Sequence, residues 1–425
     1  MGRTHVLSAA ALGAALTLAL SACGSAGSAD GGGQTLDVWI MEGTNPDASA
    51  YFDEVAEEFE AQTGAQVNVE FIPWGDAHDK FVTAIAGGTM PDVAEVGTTW
   101  TPEFAEAGAL ADLTDRVGDT GTYVPGLVEA GTVDGRLYGV PWHAALRSVL
   151  YRTDVFDELG IEEPRNWEEL REAAVTVSEE KGDMTAFPVP GGAEYSLLPF
   201  VWGAGGDIAV QDGGGTWSAE IDSPESREGI AFFTDLALEH GTSSTGAATW
   251  LETDVQDAFI DGDVAMAISG SWTPKAILEG NPDLEGDIAA FPIPGPDGGY
   301  SPSFVGGSHL SVFNGSEDEE LAWEYVQLLT SDDYAARWTE ETTYFPGKQE
   351  QLAAFTESDD PLVQPFAVQM SEAGRGVPAD PAYGKVQGQK VLQTMVQSIL
   401  SGDASVEEAS ATAAEAIEKT LNEGS

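Results

Sequence analysis

The first hundred residues alternate between short apolar runs and amphipathic stretches, and this alternation limits the fold more than any other feature. "LDVWIM" at residues 36–41 is followed by "QVNVEFI" and then by "PDVAEV". Between these runs, apolar residues recur at helical spacing over residues 47–63 and 76–86. The order strand, helix, strand, helix, strand predicts a parallel sheet with right-handed crossovers, as in α/β folds.

The pattern restarts after Gly139, which predicts a second α/β lobe. "SVLYR" is typical of a strand, and a helix is expected from Asn166, with Glu169 completing a capping box. Thr101 is expected to cap an earlier helix, with Pro102 in its first turn. Strands "DVAMAISG" and "SHLSVF" and helices over residues 197–204, 223–239, 255–260, 318–330 and 386–421 complete the pattern, the last of them broken at Ser401.

The amino terminus predicts export. Arg3 precedes an uncharged apolar run over residues 6–20, which is typical of a secretory signal and short for a bilayer span of about 20 residues. "LSAC", which ends at Cys23, resembles a bacterial lipobox, so we expect residues 1–22 to be removed and the thiol to be lipidated. Acyl chains would hold the protein on the extracellular face of the cell membrane. Residues 23–34 would form a flexible Gly/Ser tether. An ordinary cleavable signal and a buried free thiol are the alternatives.

Composition excludes several classes of protein. Cys23 is the only cysteine in 425 residues, so no disulfide can form within one chain and the fold must depend on a large apolar core. The length suggests two or three domains. The 72 acidic against 17 basic residues give a formal charge of −55, which argues against nucleic acid as a partner. We interpret the acidic residues as a solvated, self-repelling surface.

Motifs of catalysis and of cofactor binding are absent from the sequence. It contains no HExxH, GxSxG, GxxxxGK[ST] or GxGxxG pattern. "NPDLEGDIAAFP" begins like a calcium loop, but Pro292 occupies the position that requires Glu. His309 is interpreted as a polar loop residue rather than a ligand contact. The sequence therefore predicts no metal, no cofactor and no enzymatic activity.

The expected ligand site lies at the carboxyl ends of the strands. These ends are Glu42-Gly43-Thr44, Gly97-Thr98-Thr99-Trp100 and Ser271-Trp272. Indole faces pack on the apolar faces of sugar rings, so aromatic residues at strand ends favour a flat, neutral, hydroxyl-rich ligand. Ordinary packing is the alternative for each of them. The tryptophans expected in the core are Trp39, Trp167, Trp323 and Trp338, whereas those near element ends are Trp74, Trp100, Trp142, Trp202, Trp217, Trp250 and Trp272.

Four longer stretches together resemble the extracellular solute-binding proteins of carbohydrate ABC importers, over nearly the whole mature length. They are "FVTAIAGGTMPDVAEVGTTWTPEFAEAGALADL", "LYGVPWHAALRSVLYRTDVFDELGIEEPRNWEEL", "FIDGDVAMAISGSW" and "FVGGSHLSVFNGSEDEELAWEYVQLL". "LDVWIMEGTNPDA" and "VAEVGTTWTPEFAEAG" are most similar to the chitobiose-binding lipoproteins of actinobacteria.

The resemblance implies a two-lobed, periplasmic-binding-protein-like α/β fold of type II, with the ligand cleft between lobes joined by hinge strands. Residues 36–142 and 304–344 would form the first lobe, and residues 143–303 and 345–425 the second. The protein would be a monomer that binds a carbohydrate, such as a disaccharide, and delivers it to the permease subunits of an ABC transporter.

The resemblance also implies roles for individual residues. Glu42 and Arg147 would bind hydroxyls by bidentate hydrogen bonds, and Arg147 has an interlobe ion pair as its alternative. Thr98 would add a donor or acceptor. Glu194 falls where related sequences can carry an aromatic residue. The full set of expected ligand-binding residues is Glu42, Thr98, Trp100, Trp142, Arg147, Tyr195, Trp272, Gly307, Tyr344 and Arg375, of which Tyr195, Trp272 and Tyr344 would stack on the ligand.

Two other functions remain open from the sequence. A secreted glycoside hydrolase would show sugar turnover and two carboxylates facing each other across the cleft. A receptor for a non-sugar solute, such as a small peptide or a polyamine, is the other alternative. A pocket lined by acidic residues with few tryptophans would favour the polyamine.

Overall fold

The computed structural model describes residues 34–43, 46–213, 215–316 and 318–423. The predicted signal peptide, Cys23 and the predicted tether before Gln34 lie outside the described residues. Among those that are described, no helix is both long enough and apolar enough to cross a bilayer.

Strands and helices are numbered in chain order. The strands are β1 (Thr35–Glu42), β2 (Gln66–Pro73), β3 (Val93–Gly97), β4 (Thr132–Val133), β5 (Arg136–Leu137), β6 (Val140–Ala145), β7 (Arg147–Arg152), β8 (Ala209–Gln211), β9 (Trp217–Ala219), β10 (Met266–Gly270), β11 (Ile288–Phe291), β12 (Ser303–Phe304), β13 (Gly306–Val312), β14 (Phe345–Pro346) and β15 (Gly374–Arg375).

The α-helices are α1 (Ser49–Thr63), α2 (Trp74–Gly87), α3 (Thr101–Glu106), α4 (Thr114–Val117), α5 (Pro125–Ala130), α6 (Thr153–Leu159), α7 (Trp167–Glu180), α8 (Glu194–Gly203), α9 (Pro224–Leu238), α10 (Glu252–Ile260), α11 (Thr273–Gly280), α12 (Glu319–Leu329), α13 (Asp332–Thr342), α14 (Gln349–Thr356), α15 (Gln364–Ala373), α16 (Ala382–Gly388), α17 (Val391–Leu400) and α18 (Val406–Asn422). Short 3₁₀ helices cover Thr245–Thr249 and Pro282–Leu284.

The parallel sheet predicted for the first hundred residues is confirmed. β1 pairs in parallel with β2 over its whole length and with β3 on its other side. Within the described residues this sheet grows to the order β14-β6-β13-β3-β1-β2. β13, β6 and β14 run antiparallel to their neighbours, and β13 joins from two hundred residues further along the chain. The carboxyl ends of β1 and β3 therefore share one edge of the sheet.

A second, antiparallel sheet has the order β10-β7-β11. The chain passes into it from the first sheet with only Leu146 between β6 and β7. A second passage into the first sheet runs from β12, which pairs with β15 in a separate two-stranded sheet, through Val305 to β13. The amide of Arg147 donates to the hydroxyl of Ser303 at 3.3 Å, which brings the two passages side by side.

Buried apolar residues form several clusters, and one of them contains residues of both sheets, among them Ala144 of β6 and Leu150 of β7. Val38, Phe52 and Trp338 belong to a core on the first sheet, with Phe81 and Phe104 in a further cluster that also contains strand residues of that sheet. Another cluster includes residues of the second sheet together with members of α8, α9, α16, α17 and α18. The predicted core positions of Trp39, Trp167, Trp323 and Trp338 are confirmed, since each is buried.

The first sheet includes residues that the expected lobe boundaries assign to the second lobe. β6 continues past residue 142 as far as Ala145, and β14 adds Phe345 and Pro346. The assignment of residues to the two lobes stays a prediction, and sheet membership suggests placing its limits near Ala145 and Pro346.

Helix α16 lies between the two bodies. Its Tyr383 and Val386 are buried in the core that includes the second sheet. A Cβ added to Gly384 would lie 2.2 Å from Oε2 of Glu103, and one added to Gly388 would lie 2.5 Å from Cε1 of His78. Neither glycine has a positive φ, so glycine is needed at both positions for close approach rather than for a turn.

Two expected details of helix starts change. Asn166 does cap α7, since its side chain accepts from the amide of Glu169. The carboxylate of Glu169, however, binds the amide and guanidinium of Arg165 instead of closing a capping box. Thr101 is the first residue of α3 rather than its cap, and its hydroxyl lies 2.8 Å from Nδ1 of His309.

Candidate ligand-binding cleft

A cavity of about 370 Å³ opens at the edge of the first sheet where β3 ends, and residues from both sheets line it. Its volume falls within the range of small-molecule sites, about 300–1,000 Å³. The residues of the lining that matter below are Trp74, His78, Thr98, Trp100, His143, Ala145, Arg147, Glu194, Tyr195, Glu252, Trp272, Phe304, Gly307, Tyr344, Gln387, Gly388 and Gln393.

The turn after β3 presents one aromatic wall. The amide of Trp100 donates to the carbonyl of Gly97 at 2.9 Å, and the amide of Thr98 donates to the carbonyl of Gly307 at 3.0 Å. This turn sets the ring of Trp100 5.5 Å from the ring of Trp74, which begins α2. Nε1 of Trp100 is buried without a hydrogen-bond partner in the described part of the chain.

Trp272 and Tyr344 form a second aromatic group. Their ring centroids lie 5.4 Å apart at 42°. Trp272 lies directly over Gly270, where an added Cβ would meet its ring at 2.2 Å. Tyr344 stacks on His143 at 4.0 Å, and His143 is held from below by the carboxylate of Glu95 at 3.2 Å. Because both rings are held by their neighbours, little conformational entropy remains to be lost on binding.

The backbone conformation and the close packing at position 307 require glycine. Its φ of 151° and the 2.0 Å distance from an added Cβ to the carbonyl oxygen of His143 exclude any side chain. A glycine here lets β13 approach β6 closely beneath the cavity.

Arg147, at the start of β7, is buried and committed to an ion pair. Its Nε and one terminal nitrogen donate to the two carboxylate oxygens of Glu252 at 2.9 Å each. Its guanidinium also lies 4.4 Å from the ring centroid of Tyr195 and 5.1 Å from that of Trp272. Glu252 belongs to the same predicted lobe as Arg147, so this pair is not the interlobe ion pair given as the alternative. The pair fixes the guanidinium in the cavity wall.

Glu194 begins α8 and lies beside Tyr195. The side-chain amide of Gln387 donates to Glu194 at 2.7 Å and lies 2.6 Å from the hydroxyl of Tyr195. Burial raises the pKa of Glu194 to about 7, an effect that outweighs the opposing hydrogen bond from Gln387. This carboxyl group therefore changes its charge within the neutral pH range. The side-chain oxygens of Gln387 and Gln393 are buried without partners among the described residues.

The structure brings most of the expected binding residues to the cavity. Seven of the ten line it, namely Thr98, Trp100, Arg147, Tyr195, Trp272, Gly307 and Tyr344. Their contact with a ligand stays a prediction. Tyr195 already stacks on Phe304 with centroids 4.4 Å apart, so that face of its ring is covered.

Three expected binding residues lie outside the cavity lining. Trp142 is buried against Trp338, with ring centroids 4.7 Å apart, because strand β6 is covered on that face by α13. Arg375 binds Asp207 at 2.5 Å. Glu42 is exposed at the end of β1, and only its neighbour Gly43 comes near the lining residue Thr253. Thr44 lies outside the described residues.

Several lining residues were missed by the sequence analysis. Trp74 had been noted among the tryptophans near element ends but was not selected. Phe304 lies in the two-residue strand β12, which is too short to show a pattern, and nothing local distinguishes the helix residues His78 and Gln387 from exposed ones. His309 is also corrected, since it is buried in β13 and its Nε2 lies 2.9 Å from the carbonyl of Leu127. It is a structural residue rather than a loop residue.

Comparison with known proteins identifies the class. Residues 43–336 match the family described as bacterial extracellular solute-binding protein. Since this match covers more than half of the chain, the protein belongs to that family, and the predicted role as an extracellular solute-binding protein is confirmed.

Individual relatives agree with the class. The chain is 32% identical over 352 residues to the diacetylchitobiose-binding protein DasA of Streptomyces coelicolor, covering 80% of this chain and 81% of that protein. A solute-binding protein of Thermotoga lettingae solved with α-D-tagatose superposes with a TM-score of 0.80 at 28% identity, covering 92% and 100% of the two chains. A maltose-bound T. maritima protein gives a TM-score of 0.78 at 25% identity, covering 91% and 100%. The predicted two-lobed fold is confirmed by these likenesses.

Proposed function

We propose that this protein is a lipid-anchored receptor on the extracellular face of the cell that binds a neutral saccharide and delivers it to an ABC transporter permease. One observation carries the proposal. Trp100, which follows β3 of the first sheet, and Trp272, which follows β10 of the second, line the same cavity, together with polar groups suited to hydroxyls. Aromatic faces flanked by fixed hydrogen-bonding groups match the two surfaces of a sugar ring.

The relatives support a saccharide as the ligand. DasA is named for diacetylchitobiose, and the two structural relatives were solved with α-D-tagatose and maltose. An oligosaccharide such as a disaccharide would reach both aromatic groups of the cavity. We expect a monomer, because one chain supplies residues from both sheets to the cavity.

Binding would close the cleft about the two chain passages at residues 145–147 and 304–306. Trp100, Trp272 and Tyr344 would pack on ring faces, while Thr98 and the backbone near Gly307 would bind hydroxyls. Arg147 would offer a guanidinium already oriented by Glu252, at no further cost in side-chain order. We leave Trp142 and Arg375 out of this set because neither lines the cavity: Trp142 packs in the core and Arg375 binds Asp207.

The proposal includes no catalysis. Glu194 and Glu252 both line the cavity, which is the feature that a glycoside hydrolase would share. Glu252 is bound to Arg147 on both oxygens and Glu194 is held by Gln387. The known relatives are solute-binding proteins.

Calorimetry of the unlipidated mature chain tests the proposal. Diacetylchitobiose, α-D-tagatose and maltose would be titrated beside spermidine and a dipeptide, and each mixture would afterwards be analysed for products. We expect at least one sugar to bind near 1 μM, which corresponds to about −8.2 kcal/mol, with no product formed. Binding of spermidine or the dipeptide alone would favour a non-sugar receptor, and any turnover would favour the hydrolase.

The anchor is tested separately in cells. Metabolic labelling with a fatty acid should mark the full chain and not its Cys23→Ser variant, which should be recovered in the medium or retained with its signal peptide uncut. Equal labelling of both would show that Cys23 is not the lipidated residue.

A further inference from the structure

Thr343 has a backbone conformation that a β-branched residue rarely adopts. It ends α13 with φ 57° and ψ 19°, in the left-handed region. Three other helices of the described chain, α1, α2 and α6, end in the same conformation with glycine, at Gly64, Gly88 and Gly160. Glycine is the usual residue there because it has no Cβ to clash. Thr343 is therefore a strained exception to the chain's own pattern.

The hydroxyl of Thr343 lies between the two segments that carry the aromatic pair of the cleft. Its Oγ1 is 2.7 Å from the carbonyl oxygen of Ser271 and 2.7 Å from that of Thr342, so one proton serves two acceptors. Ser271 directly precedes Trp272, and Thr343 directly precedes Tyr344. The hydroxyl thus joins the end of β10 to the turn before β14.

Neighbouring contacts fix the end of α13 and join it to α11, the helix that follows Trp272. The hydroxyl of Thr342 donates to the carbonyl of Trp338 at 2.6 Å. The ammonium of Lys275, in α11, donates to the carbonyl of Glu340 at 2.7 Å. Strained residues persist where the surrounding structure fixes them, and they concentrate at functional sites. These contacts hold the end of α13 in place. Tyr344 and Trp272, beside it, line the candidate binding site.

We infer that Thr343 is a positioning residue that sets Tyr344 against Trp272 for ligand binding, and that its hydroxyl is the reason a threonine is kept at a glycine position. The inference rests on the proposed binding of a saccharide in this cleft. Thr343 itself does not line the cavity, so its effect on affinity passes through the two rings.

Replacing Thr343 by glycine separates positioning from stability. Thr343→Gly relieves the left-handed strain and removes the hydroxyl, whereas Thr343→Ser keeps the hydroxyl. Asp134→Gly is the matched control, because Asp134 also has a positive φ of 50° but lies exposed in the β4–β5 turn, away from the cavity. Each variant would be titrated with diacetylchitobiose, α-D-tagatose and maltose, and melted without ligand.

We expect Thr343→Gly to bind about fivefold more weakly, the effect of one hydrogen bond, while its melting temperature is equal to or above that of the wild type. Ligand-induced change in tryptophan fluorescence should shrink in the same variant. Thr343→Ser should bind within about twofold of the wild type, and Asp134→Gly should bind unchanged.

Three results would overturn the inference. They are unchanged affinity in Thr343→Gly, failure of Thr343→Ser to retain affinity, and a parallel loss of affinity and melting temperature in Thr343→Gly. A wild type that binds none of the sugars would instead overturn the proposed function, so the two failures are distinguishable.

Discussion

The imidazole of His78 lies against the backbone of Gly388, at a distance where an added Cβ would be 2.5 Å from its Cε1. His78 belongs to a helix beside the first sheet, and Gly388 to α16, whose other side is buried in the second core. The ring cannot yield easily, since it binds Glu103 at 2.9 Å and packs on Phe104 and Trp100. His78 and Gly388 both line the cavity, so this contact lies in the cavity wall.

Gly388→Ala should weaken sugar binding by about tenfold or more. The added methyl group opposes only the arrangement in which His78 touches position 388, which is the closed form of the proposed receptor. Stability of the ligand-free protein should be unchanged or higher, since alanine favours a helix over glycine by about 1 kcal/mol. Calorimetry and thermal melting measure the two effects.

The matched control is Gly126→Ala in α5, where an added Cβ meets nothing within 4 Å. It should leave affinity unchanged. Equal affinities for Gly388→Ala and the wild type would show that this contact does not contribute to closure.

Trp272→Phe should lower sugar affinity by about tenfold, because the indole supplies both stacking area and an N–H donor. Trp217→Phe is the control, since Trp217 is equally buried but lies outside the cavity. Fluorescence-monitored titration compares the two. Should both variants bind alike, Trp272 would have no direct part in binding.

Stability should fall as the pH rises from about 4.5 to 7, through Glu194. Its pKa is raised on folding from 4.5 to about 7, so the folded state binds a proton that the unfolded state has already lost. The loss amounts to about 3 kcal/mol and is complete above pH 7.

Urea unfolding at pH 5 and pH 8 checks this sign. Wild type should lose more unfolding free energy between the two pH values than Glu194→Gln, whose side chain has no charge to bury. An identical pH dependence in both proteins would contradict the assignment.

The contribution of His309 to stability should change with pH in the opposite direction, rising as the pH rises. Burial lowers its pKa from 6.5 to about 4, so stability is lost as the pH falls through that interval, by about 2 kcal/mol at pH 5. His309→Gln should be less stable at neutral pH and less sensitive to acid, measured by urea unfolding at pH 5 and pH 7. Equal acid sensitivity would assign the slope to another group.

The sequence correctly predicted those structural features that depend only on residues close together in the chain. The period of two in β1 and the helical spacing of α1 are properties of a few adjacent residues, and so is the Asn166 cap. The pairing of β13 with β3 could not be predicted in this way, because its register is set by residues two hundred positions apart.

The residues of the candidate site show the same distinction between what local sequence predicts and what depends on the fold. Trp100 and Trp272 lie directly after strands, so their place at the sheet edge followed from topology. Trp142 lies within a strand whose two faces are both buried, and no period distinguishes the face that meets α13 from the face that meets a ligand. His78 and Gln387 reach the same cavity only after folding, and no local sequence pattern records this.

The stretch from β6 to β7, with Leu146 alone between them, has a mechanical consequence. Ala145 and Arg147, the residues on either side of Leu146, both line the cavity. A ligand bound there contacts the connection between the two sheets directly. Ligand binding and the angle between the two lobes are therefore coupled through the residues on either side of Leu146.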